Sequence, residues 1–348
     1  MGVGISLSGL ASAVANAGGV GVISTVAIGL LGDHHEKNYR QINIDSLRAE
    51  IRKARKLTKG VLGVNVMVAL SNFADMVKTS VEEKIDIIFS GAGLPLDLPK
   101  YLEGAKIKLV PIVSSARAAA IICKKWIQNY NYVPDAIVVE GPKAGGHLGF
   151  KVDQIEDDNY QLENLIPEVV KEAKIYEEQT GKNIPVIAAG GIYTGGDIFD
   201  IMALGASAVQ MGTRFVATHE CDASEEFKNS YVNATETDVR IIKSPVGMPG
   251  RALINQFFRE VDEGIRKPLK CRHHCIITCD YKVTPYCIAN ALVEAQKGNL
   301  KEGFAFAGSN VHRINEIISV NELFEILDKE YNKADSGLTE NVQPVSVP

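Results

Sequence analysis

Residues 140–149 read EGPKAGGHLG, which sets one imidazole, His147, among Gly145, Gly146 and Gly149 at the end of the apolar run DAIVVEG. A histidine there can reach a ligand, and an imidazole titrates near neutral pH, so it can give or take a proton at a substrate carbon or oxygen. Reactive side chains concentrate on loops carried by a rigid frame. The other histidines have less to offer: His34 and His35 sit in a charged loop, and His219, His273, His274 and His312 lie outside the repeating units described below. Two further stretches are suited to an anion. AAGGIYTGGDI (188–198) and QMGTRF (210–215) each run from an apolar segment through glycine toward a helix, offering backbone N–H groups and a helix dipole to a phosphate. The glycines alone would also serve as plain turns, but two such corners in adjacent units favour the phosphate. Asn65, in GVNVM, carries an amide that both donates and accepts, as the edge of a heterocycle requires. Glu140 would bind ligand hydroxyls or pair with a neighbouring Lys or Arg.

These residues fall at the ends of short aliphatic runs: 19–24, 61–67, 85–91, 107–115, 135–141, 184–191 and 207–213. Between them lie charged stretches with helical spacing, such as 45–57, 72–84 and 163–181. Continuous apolar runs suit strands buried on both faces, hence a parallel sheet with helices outside. The repeat length is that of a TIM (β/α)8 barrel, whose active sites lie at the carboxyl ends of the strands. Seven runs are visible, not eight. The chain opens with a helix over LASAVANAG, with Ser8 as its N-cap and Gly18 as its C-cap, so a strand before Met1 is expected and the barrel lacks its first strand. After residue 213 the texture changes. Residues 223–235 read as a helix, 244–260 as a loop feeding a helix, and 321–331 as a final helix. The expected division is a barrel over 1–220, a small, mainly helical cap over 221–331 that shapes the substrate region, and a disordered tail over 332–348.

Composition limits the function classes. The 348 residues are 46% hydrophobic with a net charge of −5 and both signs interspersed, so no basic stripe suggests nucleic acid. No apolar run is long enough to span a membrane, and no leader pattern is visible, which points to a cytoplasmic protein. Cys271, Cys275, Cys279 and Cys287 form a C-x3-C-x3-C-x7-C run with two histidines inside. Dense thiolates can hold zinc or an iron–sulfur cluster, but this spacing fits neither the paired zinc pattern nor the ferredoxin runs, and free cysteine also behaves as a small buried hydrophobe. No metal is assigned.

GVGISLSGLASAVANAGGVGVIS, GVNVMVAL, VVEGPKAGGHLGF, PVIAAGGIYTGGDI, ALGASAVQMGTRF and SPVGMPGRA occur in this order over residues 1 to about 255, and together they resemble the nitronate monooxygenase (2-nitropropane dioxygenase-like) family, related to flavin-dependent enoyl-acyl-carrier-protein reductases. The resemblance implies a TIM barrel with FMN at its mouth and a cap. It implies that Asn65 and Glu140 contact the flavin ring or ribityl chain, that Ala144 and Gly145 back the cofactor, and that Gln210 lies beneath the ring. Gly190, Gly191, Gly212 and Thr213 would hold the phosphate, and His147 would face the substrate. The implied activity is oxidation of alkyl nitronates with O2. The alternatives are an NAD(P)H-dependent enoyl reductase and a non-catalytic FMN-binding paralogue. A homodimer is left open. The family strand ending in a Gly-Gly-Met-Gly-like turn is reduced here to Met1-Gly2, and a start upstream is expected.

Overall fold

Each of the seven aliphatic runs becomes a strand. In the computed structural model, which describes residues 2–32, 38–267, 271 and 273–341 (side chains to 337), they are β1 (Gly21–Ser24), β2 (Leu62–Met67), β3 (Ile87–Gly91), β4 (Lys108–Val113), β5 (Ile137–Glu140), β7 (Val186–Ala189) and β8 (Ala208–Gln210). They pair in parallel in the order β1-β2-β3-β4-β5-β7-β8. Residues such as Val64, Ile88, Leu109, Ile137 and Ala188 are fully enclosed, as strands covered on both faces must be. This is the barrel architecture expected from the repeat. Among the described residues β1 and β8 are the sheet's edges. The backbone ahead of the first helix partly covers β1: Ser24 N–H donates to Ser6 O at 2.9 Å, and the Ser6 hydroxyl donates to Val22 O at 2.6 Å.

The outer helices are α1 (Ser8–Asn16), α2 (Tyr39–Leu57), α3 (Phe73–Glu82), α4 (Ala116–Tyr130), α5 (Leu162–Thr180), α6 (Gly195–Ala203) and the short α7 (Thr213–Val216). Their apolar faces, with Leu47, Ile51, Met76, Ile122, Trp126 and Val169, close the main core against the strands. Charged residues face out, and no described helix is long and apolar enough to cross a membrane. Residues 33–37, which include His34 and His35, lie outside the described residues.

Beyond α7 follow α8 (Glu225–Val232), α9 (Gln256–Asp262), α10 (Ile288–Gln296) and α11 (Val320–Asn341), in the region expected to form a cap. It also contains strands the sequence reading passed over: β9 (Val239–Lys243) and β10 (Pro249–Leu253) pair antiparallel, and β10 pairs in turn with β6 (Gly146–His147) from the glycine loop. Part of the expected 244–260 loop is therefore strand. The final helix runs ten residues past its expected end at 331, to Asn341, so the tail expected without structure is helical at its start, while 342–348 lie outside the described residues. The start of α11 packs its apolar face on α1 and α6, with Val320 and Phe324 joining a core that also contains Leu10, Tyr193 and Phe227.

One helix end differs from expectation. Ser8 is the first helical residue of α1, not its cap; Leu7 occupies the cap position and has no side chain to offer. The orphan donors are satisfied from far along the chain: the Asp222 carboxylate accepts from Leu7 N–H (2.7 Å), Gly9 N–H (3.0 Å) and Leu10 N–H (3.0 Å), and Glu50 accepts from Ser8 N–H (2.8 Å). A carboxylate there also meets the positive end of the helix dipole. Gly18, at φ +93°, turns the chain just after the helix ends. Replacing Asp222 by Ala is expected to lower unfolding stability by about 2 kcal/mol or more, the scale of a lost cap with charge-assisted hydrogen bonds; equal urea midpoints for the two proteins would contradict this capping role.

Candidate active site

A cavity of about 790 Å³ opens at the carboxyl ends of the strands. It is lined by every residue the sequence singled out: Asn65, Glu140, Ala144, Gly145, His147, Gly190, Gly191, Gln210, Gly212 and Thr213. Asn65 is held in β2 between Ser24 of β1 and Phe89 of β3, and Glu140 ends β5 opposite Ala189. Strand geometry thus brings residues 75 positions apart in sequence to one rim.

The glycine loop is clamped by the cap. Gly146 and His147 form β6 against Arg251 and Gly250 of β10. The buried Arg251 guanidinium donates to Pro142 O and, at 3.0 Å, to Ala144 O, which fixes the loop's backbone from behind. Gly145 has to be glycine: a Cβ would lie 2.5 Å from the Ala307 carbonyl carbon and 2.6 Å from Gly308 N. The pliable loop is thus rigid in place, with His147 as its fixed product. The imidazole Nε2 lies 2.6 Å from Ser244 Oγ, and its ring meets the Phe306 ring edge-on, 5.0 Å between centroids. Ser244 Oγ already accepts from Val246 N–H at 3.2 Å. Donation of the Ser244 proton to Nε2 gives that proton an acceptor and leaves the neutral ring's own proton on Nδ1, an assignment that follows from the hydrogen-bond pattern.

The phosphate corners are built differently from expectation. The first turn of α6 is already capped by the chain's own carboxylates: Asp197 accepts from Tyr193 N–H (2.8 Å) and Thr194 N–H (2.9 Å), and Glu330 accepts from Gly195 N–H (2.7 Å). The N–H groups of residues 193, 194 and 195 are therefore already taken. Immediately upstream, the N–H groups of Gly190, Gly191, Gly212 and Thr213 have no acceptor among the described residues. Gly190 is at φ +95°, where a Cβ would also strike Gly141 O at 2.8 Å. A Cβ on Gly212 would meet nothing within 4 Å, so that corner borders open space.

A segment the sequence reading did not select ties these corners together. Gly308 N–H donates to Thr213 Oγ1 (2.9 Å), Ser309 N–H to Lys143 O (3.1 Å), and the Asn310 amide to Gly191 O (2.5 Å). Ser309 Oγ is buried beside them without a partner. Two cations flank the site. Lys143 lines the cavity with no ion pair among the described residues, and Arg214 lies over the Tyr193 ring, donates to Tyr193 O (2.5 Å) and sits 3.8 Å from Glu330. Unpaired N–H groups, open space at a glycine and nearby positive charge together fit a phosphate monoester. Of this set, the glycines and Thr213 are expected from the sequence, whereas Lys143, Ser309 and Arg214 have no role assigned there.

Another wall is apolar. Val3, Val26, Leu70, Val246 and Ile276 line the cavity and pack in one cluster. The cysteine run contributes to it: Ser71 N–H donates to Cys275 O (3.1 Å), Ile277 N–H donates to Ala69 O (2.9 Å), and Cys275 lines the cavity. Burial, aided by the neighbouring thiols of Cys287, Cys271 and Cys279, pushes Cys275 up to about 12, so it is a thiol at neutral pH. No three His, Cys, Asp or Glu side chains among the described residues form a metal-binding group.

Burial also sets the two titrating groups at the rim. It pushes Glu140 up to about 7 and His147 down to about 4. Between pH 4.5 and 7 the folded protein keeps a proton on Glu140 that the unfolded chain has lost, so this group's stability contribution falls as pH rises. Between pH 4 and 6.5 the unfolded chain binds a proton at His147 that the folded protein refuses, so stability falls as pH drops. The two effects oppose each other where the windows overlap. For the flavin-free protein, Glu140→Gln is therefore expected to raise the urea midpoint relative to the parent by an amount that grows from pH 4.5 to 7 and then levels. A difference independent of pH would contradict the assignment.

A nitronate monooxygenase family profile matches residues 1–330. Among curated relatives, a probable nitronate monooxygenase of Staphylococcus aureus (strain MSSA476) is 28% identical over 230 residues, 66% of this chain and 60% of its own. A 5-hydroxy-7a-methyl-1-oxo-octahydro-1H-indene-4-carboxyl-CoA dehydrogenase of Mycobacterium tuberculosis is 26% identical over 257 residues, 74% of this chain and 62% of its own. The chain thus matches about three fifths of the length of these relatives. FabK from Thermotoga maritima superposes with a TM-score of 0.73 at 28% identity, covering 97% of this chain and 93% of its own. A nitroalkane oxidase from Streptomyces ansochromogenes shares the fold with a TM-score of 0.73 at 23% identity, covering 97% and 95%. The chain belongs to the nitronate monooxygenase family.

Proposed function

We propose that the cavity holds FMN and that the protein oxidises alkyl nitronates with O2. The observation that carries this reading is the meeting, in one cavity, of two anion-ready strand corners and a neutral imidazole anchored by Ser244. The N–H groups of Gly190, Gly191, Gly212 and Thr213, with Lys143 nearby, would hold the phosphate. Asn65, Glu140 and Gln210 would meet the ring and ribityl chain, with Ala144 and Gly145 behind them. Bound flavin would supply the redox chemistry by accepting electrons from the substrate and passing them to O2.

The residues of the chain bind and orient. Burial keeps His147 uncharged near neutral pH, so taking a proton from a neutral nitroalkane is costly there. Donating the Nδ1 proton to an oxygen of a preformed nitronate costs no such charge, and an anion beside the ring would itself favour that bond. His147 therefore acts as a hydrogen-bond donor to the nitronate, with Ser244 fixing the ring. The apolar wall excludes water and accepts the alkyl part.

A second reading, an NAD(P)H-linked reductase of enoyl thioesters, is favoured by the likeness to FabK over nearly the whole chain and by the mycobacterial relative named for a carboxyl-CoA. Anaerobic stopped-flow separates the two. Ethylnitronate is expected to bleach the yellow absorbance rapidly, nitroethane slowly, and His147→Ala to slow the nitronate reaction about 100-fold, the scale of one lost donor to a developing charge. Rapid bleaching by NADH with none by the nitronate would overturn the proposal in favour of the thioester reading.

A further inference from the structure

We infer that Tyr39 is a second substrate-binding group, whose hydroxyl donates to an oxygen of the planar head that His147 also engages. This deepens the flavoenzyme reading of the cavity and rests on it. Tyr39 opens α2, lines the cavity, and is only 8% exposed. Its hydroxyl oxygen is buried and has no hydrogen-bond partner among the described residues. A buried tyrosine normally finds a partner for its O–H, because leaving that group desolvated and unpaired is costly.

The side chain is held in this position rather than left there by chance. Asn38 caps α2 by accepting from Arg40 N–H at 3.0 Å, and the Tyr39 carbonyl accepts from the Asn43 amide at 2.6 Å. The ring stacks on His273, with centroids 5.2 Å apart and planes 30° apart. The thiols of Cys275 and Cys287 lie near the phenol and are weak acceptors. Burial raises the phenol's pKa above its ordinary value, so the group is a donor and not a phenolate.

The surroundings of Tyr39 connect it to His147. Leu70 and Ile276, paired to each other beside Cys275, belong to the same apolar cluster as Val246, two residues from Ser244, and Phe306, which stacks on the imidazole, packs against that cluster. Tyr39 and His147 line one cavity, each with a proton to offer. A small, flat group with conjugated oxygen accepts from such donors: the two oxygens of a nitronate, or the carbonyl of an enoyl thioester.

Tyr39→Phe in the full-length, flavin-loaded protein keeps the ring stack and removes only the hydroxyl. Flavin content is expected to be unchanged and the unfolding midpoint unchanged or higher, since no protein hydrogen bond is lost. With ethylnitronate and O2 in one arm and crotonyl-CoA with NADH in the other, kcat/KM should fall about 10- to 100-fold in whichever arm the parent turns over. An unchanged kcat/KM in that arm would overturn the inference, as would a lowered midpoint, because the hydroxyl would then have a structural partner. A parent active only on the thioester would sink the nitronate reading while still testing Tyr39, and a parent active on neither would sink both.

Discussion

Two neighbouring strand ends, Gly190–Gly191 and Gly212–Thr213, leave backbone N–H groups without acceptors among the described residues at the edge of a large cavity, and the proposed site depends on that deficit. The deficit is maintained rather than accidental. A few residues downstream, Asp197 and Glu330 accept from the N–H groups of Tyr193, Thr194 and Gly195 at the start of α6, so the chain has carboxylates at hand and places none on Gly190, Gly191 or Gly212. Gly308, Ser309 and Asn310 bind the two corners and Lys143 by other atoms, which sets the corners' spacing without filling them. A phosphate is a ligand that pairs with several such N–H groups at once. In the proposed reading, a flat cofactor anchored at that end would lie along the strand ends, in the cavity that Asn65, Glu140 and His147 line.

The imidazole depends on the cap as much as on the barrel. Its loop is clamped by Arg251, its ring by Ser244 and Phe306, and all three lie beyond residue 240. This shared construction explains how a segment of four glycines within nine residues can hold a reactive group firmly: the rigidity comes from β10 rather than from the loop. It also explains the electrostatics. A ring enclosed by the cap loses solvation, stays neutral, and serves better as a donor to an anion than as a base.

Much of this was legible in the sequence. The seven strands follow from continuous aliphatic runs, and the rim residues follow from where those runs stop, because a parallel barrel forces its strand ends to one side. Features set by distant pairing were not legible. Asp222 caps α1 from more than 200 residues away, and Ser244 meets His147 across 97 residues; neither contact leaves a local pattern. Strands β9 and β10 are short, and β10 starts with Pro-Gly, a pair that reads as a turn until a partner strand is known. Tyr39 lies ahead of the helical spacing read over 45–57 and belongs to no motif in the sequence. Only its burial without a partner marks it out.

The most direct test of the anchoring claim is calorimetric titration of the flavin-free protein with FMN and, separately, with riboflavin, which has the same ring and ribityl chain but no phosphate. If the two glycine corners hold the phosphate, FMN will bind more tightly by about 100-fold or more, and the advantage will shrink as salt is raised. Equal affinities for the two flavins would contradict the account.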